Sequence, residues 1–330
     1  MSASLKVLPL LLCLFMTACP SILVTDSSVT AEKVYADIES LEGAVFLDLT
    51  DTGARGFENI CLTQDACYLS SLSGHIVKVT GQALSGTAEV YAAKVANIAL
   101  GIDMSTDGRL FAALSFAPFD EWKTKGGAVY LLDADLKIAP VRLTGDYPAI
   151  NGLACSGSSD YFFTASNFSF LKPFGTVYRG STADYGAEQA ARGPWIANGI
   201  AVHHDSIYFS DTLGGILRLH NGDTSWTYRK SGMTEAVDDF CIDADGCFWM
   251  TDPGGAAVKR FDPAKKTLSR FYITGIGQTS ACAIREEDGT QVLYLTELKQ
   301  SRSRSSGSYD GRGAAVIPVD SLLRNLTKEN

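Results

Sequence analysis

The chain has 330 residues and a formal net charge of −9, with 46% hydrophobic and 10% aromatic residues. This composition is sufficient for one large core and excludes a disordered chain. Because nucleic acid and anionic membrane surfaces repel a negatively charged protein, the acidic balance argues against both as partners.

Residues 1–19 have the pattern of a secretory signal. An apolar run, Val7 to Met16, follows a basic residue and is too short to span a bilayer. The small residues directly before Cys19 resemble a bacterial lipobox, in which this cysteine becomes the lipidated first residue; ordinary signal cleavage is the alternative. We therefore expect residues 20–40 to be a tether. Residues 41–330 should form a monomeric domain outside the cytoplasm, either secreted or attached to a bacterial membrane through the lipid alone.

Short apolar strands separated by turn residues recur along the rest of the chain. The clearest copy, Trp195 to Leu219, reads as three strands joined by polar or glycine-rich turns. Successive copies begin 42, 51, 47, 40 and 42 residues apart. Their first residues, called ring residues below, are Glu58, Leu100, Asn151, Asn198, Asp238 and Ser280. A period in the forties with about four strands per unit is typical of a β-propeller.

The sequence thus predicts an all-β fold, a six-bladed β-propeller with four antiparallel strands per blade. A β-sandwich with regular hairpins would explain the strands but not six matching registers. The last copy lacks a fourth strand, whereas residues 43–49 form a strand before the first copy. We therefore expect this N-terminal strand to close the last blade, which leaves no strand pair open between the first and last blades.

In such a meander the ring residues and the links between second and third strands lie at the same end of the propeller. This end, the ring face, also receives the long loops, where function is usually found. Aromatic residues in these loops are candidates for an apolar acyl pocket over the ring, with ordinary loop packing as the alternative. They are Phe116, Trp122, Phe168, Phe174 and Trp195.

Four ring residues offer hard oxygen ligands at the mouth of the central channel. They are Glu58, Asn151, Asn198 and Asp238. A mixture of carboxylate and carboxamide oxygens suits Ca²⁺, which takes 6–8 oxygen ligands, although another divalent cation could use the same set. Asn and Asp at strand ends also make turns, but turns explain one such residue better than four at one register.

The spacing of Glu58, Asn151-Gly, Asn198-Gly and Asp238, one per blade, resembles the superfamily of SMP-30/gluconolactonases, drug-responsive lactonases and paraoxonases. The resemblance implies that these residues bind a catalytic calcium, which acts as a Lewis acid on lactones or carboxylic and aryl esters. Asp238 or Asp239 would be the general base. Paraoxonases carry a histidine where Leu100 stands, so a non-catalytic binding or scaffold propeller with a structural calcium remains the alternative.

The histidines and cysteines leave two further expectations. By register, His203 and His204 fall in a turn at the end opposite the ring. The cysteine pairs Cys61/Cys67 and Cys241/Cys247 share one offset, and a three-residue turn ending in a bulge would place each pair on one face of its hairpin. The sequence leaves two alternatives for these cysteines, disulfide bonds or buried free thiols.

Overall fold

The computed structural model describes residues 29–81, 83, 88–117, 126–166, 175–192, 195–230, 235–253, 257–300 and 309–326. The strands form six sheets, and each innermost strand contacts the innermost strands of the two neighbouring sheets in a closed ring. The all-β, six-bladed β-propeller predicted from the sequence is therefore confirmed.

The first three blades are antiparallel meanders that run outward from the centre in chain order. Blade 1 contains β3 (Phe57–Leu62), β4 (Ala66–Ser71), β5 (His75–Thr80) and β6 (Glu89–Lys94). Blade 2 contains β7 (Ile98–Met104), β8 (Leu110–Ser115), β9 (Gly127–Leu132) and β10 (Val141–Arg142). Blade 3 contains β11 (Ile150–Ser156), β12 (Asp160–Ser166), β13 (Gly175–Ser181) and β14 (Asp184–Arg192).

Blades 4 and 5 follow the same plan. Blade 4 contains β15 (Ala197–His203), β16 (Ser206–Asp211), β17 (Gly215–His220) and β18 (Asp223–Arg229). Blade 5 contains β19 (Phe240–Ile242), β20 (Phe248–Asp252), β21 (Ala257–Asp262) and β22 (Thr267–Thr274).

Blade 6 is built from both ends of the chain. Its inner strands are β23 (Gln278–Glu287), β24 (Thr290–Lys299) and β25 (Gly313–Pro318). The outermost strand is β2 (Val45–Asp48), which pairs antiparallel with β25. This arrangement confirms the predicted closure by an N-terminal strand. One α-helix, α1 (Val319–Leu326), follows β25 directly.

The tether expected at residues 20–40 is wrong for its second half. Residues 30–37 form a strand, β1 (Thr30–Asp37), which pairs in parallel with the outer strand β22 of blade 5. Val34 is buried between blades 5 and 6, and the Tyr35 ring stacks on Tyr272 with centroids 5.1 Å apart. Burial of this apolar side chain and the ladder of backbone hydrogen bonds hold the segment on the propeller.

The core consists of six apolar clusters, one in each space between neighbouring blades. Because a blade is covered on both faces, the second strands β4, β8 and β20 are buried along their whole length. This explains the near-continuous apolar runs in the sequence. None of the helices in the described ranges is long and apolar enough to cross a membrane.

The cysteines of the described chain are free thiols. Cys241 and Cys247 do share a face, since the cross-strand partners are Cys241 with Trp249 and Asp243 with Cys247. The same expectation is wrong for Cys61 and Cys67. The paired residues in that hairpin are Leu62 and Cys67, so Cys61 packs toward blade 2 and Cys67 toward blade 6. A shift of one residue in register turns a side chain to the other face.

Candidate functional site

The ring residues lie where the innermost strands begin. In β3, β7, β11, β15 and β23 the pairing with the second strand slips at this point, as in a β-bulge. A Cβ on Gly152 would lie 3.0 Å from the backbone nitrogen of Ile200, and a Cβ on Gly199 would lie 2.7 Å from Cα of Asp239. The Asn-Gly pairs therefore allow neighbouring inner strands to approach closely at the ring.

Four ring residues from four blades are joined by hydrogen bonds, and we call them the ring cluster. The Ser280 hydroxyl oxygen lies 2.9 Å from Asp238 Oδ2 and 3.1 Å from Glu58 Oε2, and Asn198 Nδ2 donates to Asp238 Oδ1. The structure thus brings together three of the four residues proposed as metal ligands, Glu58, Asn198 and Asp238. Ser280, which the sequence analysis placed in the ring but gave no role, lies between the two carboxyl groups.

The electrostatics of the ring cluster favour a bound cation. Burial, reinforced by the Asp238 charge, raises the pKa of Glu58 to about 8, and burial raises the pKa of Asp238 to about 6. A serine hydroxyl carries a single proton and cannot donate to both carboxylates at once. The single proton of Ser280 therefore serves only one of the two carboxyl groups, and the raised pKa of Glu58 favours its protonated form beside the Asp238 carboxylate.

The donor set at the ring fits a hard divalent cation. Within the described part of the chain, no ion pair involves Glu58, Asp238 or the adjacent Asp239. The same ranges hold no group of three or more His, Cys, Asp or Glu side chains that could bind a metal by themselves. A cation here would therefore need amide and hydroxyl oxygens as well, from Asn198 and Ser280. Such a mixed oxygen set suits calcium better than zinc.

The other half of the ring is less polar. Asn151 begins the corresponding part of β11 in blade 3 and is partly exposed. Its side chain takes no part in the hydrogen bonds that join the ring cluster in the described structure. Leu100 fills the position in blade 2 and is buried, and its carbonyl oxygen accepts a hydrogen bond from Ser70. The oxygen ligands are therefore concentrated in blades 4, 5, 6 and 1.

Asp239, the second candidate for the general base, is buried and follows Asp238 in the chain. Its backbone N–H donates to Thr251 Oγ1 at 3.1 Å, and its carboxylate accepts the backbone N–H of Phe240. Burial raises the pKa of Asp239 to about 8. The carboxylate lies against Gly199 of the neighbouring inner strand. Both predicted catalytic residues thus lie at the ring, on adjacent positions of the chain.

Two of the predicted pocket aromatics lie in the described structure. Phe116 is 51% exposed and packs edge-on against Tyr130, with ring centroids 5.5 Å apart. Trp195 is partly buried just before β15. The remaining candidates, Trp122, Phe168 and Phe174, lie outside the described residues.

Sequence reasoning missed a set of acids that hold the segments leading into the inner strands. Each follows a hydroxyl residue at the end of a second strand, a pattern that the sequence does show. Asp211 accepts the backbone N–H of Ile196 at 3.3 Å, Asp252 that of Ala236 at 3.1 Å, and Glu297 that of Gly277 at 3.0 Å. Burial raises the pKa of Asp211 to about 6. These acids fix the chain just before it reaches the ring.

The histidines lie apart from the ring cluster. His203 and His204 form the end of β15 and the following turn, opposite the ring, with ring centroids 4.1 Å apart. His75 begins β5 on the ring face, where Nδ1 lies 3.0 Å from Ser73 Oγ in a tight turn. This contact between residues two positions apart is explained by the turn itself.

Comparisons with known proteins agree with the propeller fold. Residues 148–299 match the family described as the SMP-30/gluconolactonase/LRE-like region, as the resemblance implied. A Xanthomonas campestris gluconolactonase is 21% identical with a TM-score of 0.58, covering 84% of this chain and 90% of its own. Regucalcin from Agrobacterium tumefaciens, a calcium-binding protein, is 15% identical with a TM-score of 0.62, covering 87% and 95%.

The fold is also shared by a protein of different chemistry. Virginiamycin B lyase from Staphylococcus aureus is 15% identical with a TM-score of 0.52, covering 77% of this chain and 82% of its own. No curated protein matches the sequence. At these identities the solved structures establish the propeller fold alone, so the reaction must be argued from the site.

Proposed function

We propose that this chain is an extracytoplasmic, calcium-dependent hydrolase of lactones or carboxylic esters, including aryl esters. At the level of the family, the match of residues 148–299 supports a lactonase-type hydrolase. The observation that carries the proposal is the ring cluster, in which Ser280 contacts Glu58 and Asp238, and Asn198 contacts Asp238, at the mouth of the channel.

Glu58, Asn198 and Asp238 would hold the calcium ion, with Asn151 approaching from blade 3. The Asn198 amide faces Asp238 through its nitrogen, and rotation of the amide would present its oxygen instead. When bound, calcium supplies a Lewis acid that polarises the carbonyl of the ester or lactone. Another divalent ion of similar hardness is the alternative occupant.

Asp238 is our first candidate for the general base and Asp239 the second. Asp238 is held by Asn198 and Ser280, so its orientation is fixed, whereas Asp239 is held by the Phe240 N–H. A positive charge in the ring favours the ionised form of a neighbouring carboxyl group and lowers its raised pKa. The carboxylate can then accept the proton of the attacking water.

The substrate is proposed to be a small molecule that enters from the ring face. Phe116 and Trp195 lie on this face and would contact its apolar part. Leu100, the apolar ring residue of blade 2, also favours an apolar rather than a sugar-like group beside the metal.

The test combines metal analysis with a substrate panel. The purified protein should contain calcium and should hydrolyse a member of a panel of aryl esters, aliphatic lactones and sugar lactones. EDTA should remove the activity and added calcium should restore it. Asp238→Asn should abolish turnover with the fold intact. Asp103 is a partly buried acid in the inner strand of blade 2, and Asp103→Asn is the control that should retain turnover.

The alternative is a non-catalytic binding or scaffold propeller in which calcium is structural. It would be favoured if the protein binds calcium and is stabilised by it, yet turns over no member of the panel. Absence of calcium binding at the ring would contradict both assignments.

A further inference from the structure

We propose that Ser210 and Thr251 are positioning residues, whose buried hydroxyl groups set the spacing of the ring cluster by fixing the backbone of the next blade. The inference rests on the proposed function, because it concerns the residues that would hold calcium. Neither residue touches the proposed ion or the substrate.

A hydroxyl recurs near the end of the second strand and reaches across to the following blade. In four blades it donates to the backbone carbonyl oxygen of the next ring residue. The pairs are Ser70 to Leu100, Thr164 to Asn198, Ser210 to Asp238 and Thr251 to Ser280. All four hydroxyl residues are fully buried. The recurrence at one register identifies a common device and not a chance contact.

The two threonine hydroxyl groups also accept a hydrogen bond from their own inner strand. Thr251 Oγ1 accepts the N–H of Asp239 at 3.1 Å, and Thr164 Oγ1 accepts the N–H of Gly152 at 2.9 Å. Each threonine therefore connects the bulge of one blade to the ring residue of the next. The carbonyl oxygen of Asp238 receives a second hydrogen bond from blade 4, from the N–H of Gly199 at 3.0 Å.

These contacts matter because ligand geometry is demanding. Calcium requires its oxygen ligands at about 2.3–2.6 Å, and a site loses affinity when its residues move by roughly 0.5 Å or more. Asp238 and Ser280 lie in different blades and are in direct contact, so their spacing depends on how the blades are joined. Ser210 holds the first from blade 4, and Thr251 holds the second from blade 5.

Blade 1 supplies a matched control. Ser70 makes the same buried hydrogen bond, but to Leu100, whose side chain offers no oxygen to a cation. Ser70→Ala thus removes an equivalent interaction with an equivalent loss of packing. A merely structural role predicts that Ser70→Ala and Ser210→Ala behave alike, and that Thr251→Val, which also loses the hydrogen bond from the Asp239 N–H, differs from them only in stability.

The test is calcium titration calorimetry on the purified protein and these variants, with the melting temperature measured alongside. All three should melt at lower temperature. Ser210→Ala and Thr251→Val should bind calcium about tenfold or more weakly, as loss of an outer support typically does. Ser70→Ala should bind within about twofold of the wild type on the same reasoning, and Ser210→Thr, which keeps the hydroxyl, should restore affinity. Equal affinity in all variants, or an equal loss in Ser70→Ala, would overturn the inference.

A second measurement separates this inference from the proposed function. If the wild-type protein binds no calcium, the proposed function fails. The positioning role can still be tested without metal, by measuring hydrogen exchange of the Asp239 N–H, which donates to Thr251. Thr251→Val should accelerate this exchange and Ser70→Ala should not; unchanged exchange in Thr251→Val would contradict the role.

Discussion

Removal of calcium should destabilise the propeller, and the loss should grow as the pH rises. A ligand present at about a thousand times its dissociation constant stabilises the native state by about 4 kcal/mol. For a chain of 330 residues, the unfolding entropy is about 0.7 kcal/mol/K. The melting temperature should therefore rise by about 6 °C when saturating calcium replaces EDTA near neutral pH.

The pH dependence follows from the carboxyl groups at the ring. Burial raises the pKa of Glu58 and Asp239 to about 8 and that of Asp238 to about 6. A raised carboxyl pKa means that the folded state keeps its proton longer than the unfolded state. The associated stability is present below the ordinary carboxyl pKa and is lost as the pH rises through the raised values. The metal-free protein should melt at progressively lower temperature between pH 5 and pH 8, and calcium should restore most of the loss.

Calorimetric melting of two variants checks this reasoning. Glu58→Gln should lose most of the calcium-induced shift and show a weaker fall with pH when metal-free. Asp103→Asn removes another, partly buried carboxyl group, whose pKa is raised by desolvation and which accepts the N–H of Cys155. This control should reduce the pH dependence but keep the calcium shift. Identical melting in calcium and EDTA at every pH, or a full shift in Glu58→Gln, would refute the argument.

Three other outcomes are expected. Gly199→Ala should lower the free energy of unfolding in urea by about 1–3 kcal/mol because of overpacking, whereas Gly145→Ala, with open space around its Cβ, should change it little. Val34→Ala should cost about 2 kcal/mol in the same assay, whereas a similar truncation of the exposed Glu32 should be nearly neutral, and equal effects would mean that β1 adds no stability. If Cys19 carries a lipid, Cys19→Ala should release the protein from the membrane fraction, and unchanged fractionation would favour plain secretion.

The fold could be predicted because every blade carries the same pattern of short apolar strands. Two faces of each sheet must be apolar, and one register places Asn198 and Asp238 at the same strand end as Glu58. β1 was not predictable in this way. Thr30–Asp37 has one fully buried apolar side chain, Val34, and its docking depends on an edge of blade 5 that is remote in the sequence.

The site was predictable as a set of residues but not as a set of contacts. The repeat places Ser280 in the ring, yet only the structure shows its hydroxyl between Glu58 and Asp238. The error for Cys61 and Cys67 has a similar origin, because the hairpin loop differs by one residue from the assumed turn and local sequence does not reveal this. The contacts of short polar side chains are the hardest to predict from sequence, because their partners lie in another blade.

Blade 6 combines β2 with three strands from the other end of the propeller sequence, and this affects the order of assembly. Its outer strand, β2, is synthesised before blade 1, whereas β25 is synthesised after blade 5, so the circle of blades cannot close until β25 has been made. Glu58 and Ser280 stand on opposite sides of that seam. Blades 1 to 5 can therefore form in chain order, whereas Glu58 and Ser280 come into contact only when blade 6 closes on blade 1.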